Sequence, residues 1–148
     1  GGDEINKIIE NQNYGWPIAS YGIIFGHEIK KLGPTFEEHA PNGFKEPSYY
    51  WEINPGIGQI IEVPNNFSEN LKNHFFITSL SGSLDKDNQH KGKSLYIAKF
   101  TDDFEKVISM ERLFIGERIR DIIYSDELNG FLIAMENSSS IGLVRNKK

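Results

Sequence analysis

The feature that most constrains this chain is a succession of short apolar segments in its second half. "QIIEV" (59–63), "HFFITSL" (74–80), "SLYIAKF" (94–100), "KVISMERLF" (106–114), "IRDIIYS" (119–125), "GFLIAME" (130–136) and "SIGLVR" (140–145) follow one another closely. They are rich in Ile, Val, Phe and Tyr, and Gly, Asn, Asp and Ser separate them, which is the pattern of strands joined by turns. The spacing predicts an all-β, antiparallel meander. Asn129-Gly130 is a tight-hairpin signal, since both residues accept positive φ. One helical alternative exists: in "TDDFEKVISMERLF", Phe104, Val107, Ile108 and Leu113 come near helical spacing behind an Asp102 or Asp103 cap. Strand is the favoured reading there. "EINKIIE" stays open, because Ile5, Ile8 and Ile9 suit a helix while Ile5, Lys7 and Ile9 suit one face of a strand.

A weak internal repeat organises the strands. "HFFITSL" followed by "SLYIAKF" resembles "GFLIAME" followed by "SIGLVR", and each pair has a further strand before it. Such repetition predicts stacked four-stranded antiparallel units, the blades of a β-propeller. The chain then reads as one domain over 1–148, about two blades plus a loop excursion. Residues 1–16 hold an outer strand, 17–58 a long loop region with five of the six prolines, 59–114 a complete blade, and 118–145 three strands of a last blade.

Composition excludes several classes. The net charge is −5 with both signs interspersed, so a nucleic-acid partner is not expected. No run approaches the roughly 20 apolar residues that cross a bilayer, so no membrane insertion is expected. The lack of cysteine excludes disulfides and thiolate metal sites.

Most motif fragments have plain readings. His27-Glu28 opens like a zinc-helix motif, but Lys31 stands where its second histidine belongs. His27 and His39 therefore read as solvated loop histidines. "GIGQII" (56–61) lacks a following helix and reads as a turn into a strand. Ser138, Ser139 and Ser140 read as a polar hairpin loop. Two constellations carry more. Asp3, Glu4, Tyr14 and Trp16 combine carboxylates with a rigid Gly15–Pro17 turn, either a corner for a hard cation such as Ca²⁺ or an acidic start beside a buried aromatic corner. Arg118 and Arg120, two apart, point to one face of a strand. They are either neutralised by Glu117 and Asp121 or form a fork for a multiply anionic ligand.

"GDEIN" (2–6), "NYGWP" (13–17), "SYG" (20–22), "EPSYYW" (46–51) and "RIRDI" (118–122) occur in an order and spacing that resembles the soluble glucose/sorbosone dehydrogenases. The resemblance runs from Gly2 to about Arg145. It implies the C-terminal part of a six-bladed β-propeller enzyme that oxidises aldoses with pyrroloquinoline quinone and Ca²⁺, usually in the periplasm. It further implies that Glu4 and Tyr14 belong to a calcium site, Tyr14 through its main-chain oxygen, and that Arg118 and Arg120 face the quinone carboxylates.

The sequence also departs from that family. Ser81 stands where members usually carry a quinone-contacting lysine, and "GIGQIIEV" replaces a Ser-Gly followed by small and aromatic residues, with Glu62 and Val63 at the aromatic positions. None of His27, His39, His74 or His90 falls in a motif matching the family's catalytic base, which belongs to the family's N-terminal half, so no catalytic residue is assigned. The opening stretch reads as a cut edge, and the chain is expected to be inactive alone. A second expectation is a non-catalytic assembly module, a homo-oligomer formed through open blade edges. Three copies in heterologous, ring-closing contact would rebuild six blades.

Overall fold

The computed structural model of the chain describes residues 2–21, 39–82 and 91–146. His27, Glu28, Lys31 and His90 lie outside the described residues. All seven predicted segments are strands, arranged with two further short ones in three antiparallel sheets. The first sheet pairs β1 (Glu4–Ile5) with β2 (Tyr49–Tyr50), Glu4 opposite Tyr50. The second runs in chain order through β3 (Ile57–Glu62), β4 (His74–Ser79), β5 (Ser94–Phe100) and β6 (Val107–Phe114). The third is β7 (Ile119–Ser125), β8 (Gly130–Met135) and β9 (Ser140–Arg145).

Local chemistry decides the ambiguous segments. Phe104 has φ of 59°, a left-handed conformation that ends any helix over 101–114. Residues 101–106 instead close a turn, with Phe104 N donating to Thr101 O at 2.9 Å, and Val107–Phe114 pairs along β5. In "EINKIIE" only Glu4 and Ile5 are strand; Gln12 N donates to Ile9 O and Asn11 has φ of 62°. β2 falls inside the stretch read as a loop excursion, and it is there because Ser48 N and Trp51 N donate to Ile5 O and Asp3 O. The expected Asn129-Gly130 turn is displaced by one residue. Asn129 does take φ of 43°, but Gly130 already pairs with Ser125 and Arg145 in the sheet. A Cβ on Gly130 would sit 2.9 Å from Leu143 Cδ1 and Val144 O, so this glycine serves close approach rather than the turn.

Two layers of packing hold the sheets together. One face of the four-stranded sheet meets the three-stranded sheet through Phe76, Leu95, Ile119, Ile122, Phe131 and Ile133, joined by Val63 and Phe67. The Phe131 ring lies 4.7 Å from that of Phe76 and 5.0 Å from that of Phe67. The opposite face, with Ile77, Tyr96, Ala98 and Phe100, packs on Trp51, Ile5 and Tyr49 from the first sheet. Lys7 and Lys45 both bond Glu105, at 2.9 and 2.6 Å, and fasten the N-terminal segment to the loop between β5 and β6.

The third sheet has a face that nothing in the described residues covers. Cross-strand pairing aligns Ile123, Leu132 and Leu143 in one row and Asp121, Ala134 and Ile141 in the next. By the internal repeat, Ile141 occupies the place of Leu95. Leu95 is fully buried, whereas Ile141 is 66% exposed. Among the described residues no helix is long and apolar enough to cross a membrane.

Candidate cation corner and arginine pair

The first strands of the three sheets lie side by side, and both constellations sit on them. Asp3, at the start of the first, accepts a 2.8 Å hydrogen bond from Ile57 N at the start of β3. Burial pushes the Asp3 carboxyl above its ordinary value, and the Ile57 and Gly56 amides partly offset that rise. On the far side of β3, Gln59 Oε1 accepts from Ile122 N of β7 at 3.1 Å. Gly58 permits this approach: a Cβ there would lie 2.8 Å from Thr78 Oγ1 and 3.6 Å from Ile119 O.

Glu4 and the Tyr14–Gly15 turn converge on one buried ring, that of His39. Glu4 Oε1 lies 4.0 Å from His39 Nε2. Gly15, with φ of 91°, packs so closely that a Cβ would stand 3.1 Å from His39 Cδ2. The turn is built from Asn13, whose Oδ1 accepts from Gly15 N at 2.9 Å, and from Gly15 O, which accepts from Ile18 N and Ala19 N. Tyr14 fixes it from behind, its hydroxyl accepting from Ile9 N and donating to Lys7 O, both at 2.8 Å. Trp16 is exposed, so the corner is not a buried aromatic cluster.

His39 corrects its sequence reading. It is a fully buried side chain, not a solvated one, because its ring stacks on Tyr21 at 4.8 Å and Tyr21 stacks on Tyr50 at 3.9 Å. On its other edge, Nδ1 lies 3.9 Å from Glu46 Oε2. Glu46 is itself held by the Tyr21 hydroxyl at 2.7 Å and Ala40 N at 3.2 Å. Burial first, then the Glu46 hydrogen bond, pushes the Tyr21 phenol well above its ordinary value. Among the described residues neither ring nitrogen of His39 has a hydrogen-bond partner.

The donor set suits a hard cation. Asn6 Oδ1 is buried and has no hydrogen-bond partner among the described residues, while its amide nitrogen is 3.5 Å from Glu4 Oε2. A carboxylate and an amide oxygen without a donor, on residues two apart, are oxygen ligands of the kind Ca²⁺ takes, with main-chain carbonyls completing the set. No group of three or more His, Cys, Asp and Glu side chains is placed to hold a metal among the described residues. Any cation here therefore depends on such amide and main-chain oxygens.

Arg118 precedes β7 and Arg120 lies in it, and the two guanidiniums meet on a single carboxylate. Arg118 Nη1 donates to Glu136 Oε1 at 3.1 Å and Arg120 Nε to Glu136 Oε2 at 2.5 Å. The neutralising group is thus Glu136, not the flanking residues. Glu117 instead accepts from Asn137 N, and Asp121 Oδ1 from Ile122 N. One carboxylate against two guanidiniums leaves the pair net positive. Arg118 Nε is in addition buried and without a hydrogen-bond partner among the described residues, a donor that fits an anionic oxygen. Arg120 first, then Arg118, holds the Glu136 carboxyl below its ordinary range.

Comparison with known proteins gives the fold and then the family. A crystal structure of a glucose dehydrogenase superposes with a TM-score of 0.77 at 24% identity, covering all of this chain and 39% of that one. The soluble aldose sugar dehydrogenase of Escherichia coli, in its apo-form, superposes at 0.73 over 98% of this chain and 38% of its own, again at 24% identity. In sequence, the aldose sugar dehydrogenase YliI of Escherichia coli (strain K12) is 30% identical over 146 residues, which span 98% of this chain and 35% of that protein. The glucose/sorbosone dehydrogenase family model matches residues 1–145, and the chain belongs to that family. It spans little more than a third of the length of these relatives.

Proposed function

We propose that these residues are the calcium- and quinone-holding part of an aldose dehydrogenase of the six-bladed propeller type, periplasmic like the family it resembles. The observation that carries this reading is the convergence of Glu4 and the Tyr14–Gly15 turn on one buried imidazole, beside the orphaned oxygen of Asn6. Glu4 and Asn6 would supply side-chain oxygens to Ca²⁺, and Tyr14 its main-chain oxygen. Arg118 and Arg120, net positive over Glu136, would hold the carboxylates of pyrroloquinoline quinone. When bound, the quinone accepts hydride from the aldose. The protein's own task is then to bind and orient, and no residue of this chain is assigned as the base that takes the sugar hydroxyl proton. The chain alone is expected to bind without turning over. Differential scanning calorimetry tests this: Ca²⁺ is expected to raise the melting temperature of the wild type. An unchanged melting temperature in millimolar Ca²⁺ removes Glu4 and Tyr14 as a working site.

A second reading has its own observation, the uncovered face bearing Ile123, Ile141 and Leu143, which are 52%, 66% and 43% exposed. Apolar rows of this kind mark an interface. In this reading the chain is a propeller-type assembly module whose copies cover that face and complete the three-stranded sheet. Light scattering at micromolar concentration decides it, since a clean monomer leaves the face without a partner of its own kind.

A further inference from the structure

His39 spends its burial on nothing that packing requires. It is completely enclosed, both ring nitrogens lack hydrogen-bond partners among the described residues, and a phenylalanine would fill the same slot between Tyr21 and Gly15 without burying two polar atoms. The chain nevertheless places a carboxylate opposite each nitrogen, Glu4 at 4.0 Å and Glu46 at 3.9 Å. Of these, Glu46 is already held by Tyr21 and the Ala40 amide. Among the described residues the Glu4 carboxylate accepts a hydrogen bond only from Asn6, at 3.5 Å. An imidazole N–H is what Glu4 lacks, and one small side-chain movement brings it within reach. Carboxylates that ligate metals are commonly oriented by such a donor behind them.

We propose that His39 is the positioning residue of the cation corner. Its Nε2 edge orients Glu4, and its ring supports the Gly15 backbone, so that the carboxylate and the Tyr14 carbonyl are held together for one hard cation. Glu46 and Tyr21 fix the ring from the other edge and face. This inference rests on the cation reading above. It goes beyond it by naming a residue that need not touch the cation.

The test titrates Ca²⁺, with Mg²⁺ as control, into the chelator-treated 148-residue chain and reads the dissociation constant by calorimetry. H39F keeps the ring and its stacking and removes both nitrogens; its ligand-free melting temperature is expected to stay close to or above that of the wild type. Its Ca²⁺ affinity is expected to fall by about tenfold or more. H39Q returns an N–H near the Nε2 position and is expected to bind within about threefold of the wild type. H39F binding Ca²⁺ as tightly as the wild type overturns the positioning role while leaving the cation site standing. A wild type that takes up no Ca²⁺ overturns the site and the inference with it. Should H39F not fold, H39Q carries the test, and a loss of about tenfold or more in that variant contradicts the proposal.

Discussion

At the scale of single residues, charge pairs could be suspected from the sequence but their partners could not. The two-residue spacing of Arg118 and Arg120 announced a pair on one side, and the adjacent Glu117 and Asp121 looked like the counter-charges. The carboxylate they use, Glu136, follows directly on β8, the strand that pairs with β7, and that pairing brings it there. Removing it should leave two guanidiniums without their shared counter-charge. E136Q is therefore expected to melt lower at low salt and to recover with added multivalent anions more than the wild type does, as thermal scans in phosphate or citrate would show; equal responses would remove the net-positive pair as an anion site. The burial of His39 escapes the sequence for a related reason, because its ring stacks on Tyr21, which in turn stacks on Tyr50, and no local pattern encodes that stack. Glu105 gives a pH prediction. Hydrogen bonds from Lys45 and then Lys7 hold its carboxyl below the ordinary value. A carboxyl lowered on folding stabilises the fold above its unfolded value, about 4.3, and that contribution is lost as pH falls through the folded value. The wild type should melt above E105Q at neutral pH, with the difference vanishing in acid. A constant difference across the acid range would contradict the linkage.

At the scale of strands, periodicity served well where segments were long and failed where they were short. Seven segments rich in β-branched and aromatic residues are strands, and the helical alternative lost to the left-handed Phe104 and to the pairing of β6 along β5. β2, only two residues long and surrounded by prolines, has no sequence signature apart from its partner β1. The repeat supplies a paired prediction. Leu95 and Ile141 hold equivalent places, but only Leu95 is buried between sheets. L95A should cost about 2–5 kcal/mol. I141A should stay within about 0.5 kcal/mol in a dilute monomer. Urea unfolding of both variants reads this directly, and a large concentration-dependent cost for I141A would instead show its face to be covered by another copy.

At the scale of the whole molecule, the chain carries part of a family's architecture and, in the proposed reading, part of its chemistry. Its family was legible in "GDEIN", "NYGWP" and "RIRDI" and is shown by the family model over residues 1–145, and the superposed glucose and aldose sugar dehydrogenase structures share its fold. What remained hidden is the tertiary link between them: Asp3 to Ile57, Gln59 to Ile122, and His39 between Glu4 and Gly15, all contacts between residues far apart in sequence. The proposed division of labour, in which these residues bind cation and quinone while the proton acceptor lies outside them, is tested most directly by dye-linked oxidation of glucose by the purified chain loaded with Ca²⁺ and pyrroloquinoline quinone. The account predicts dye reduction at the rate of the protein-free cofactor control. Sustained, aldose-dependent turnover by the chain alone would contradict it, since a base would then have to reside within these 148 residues.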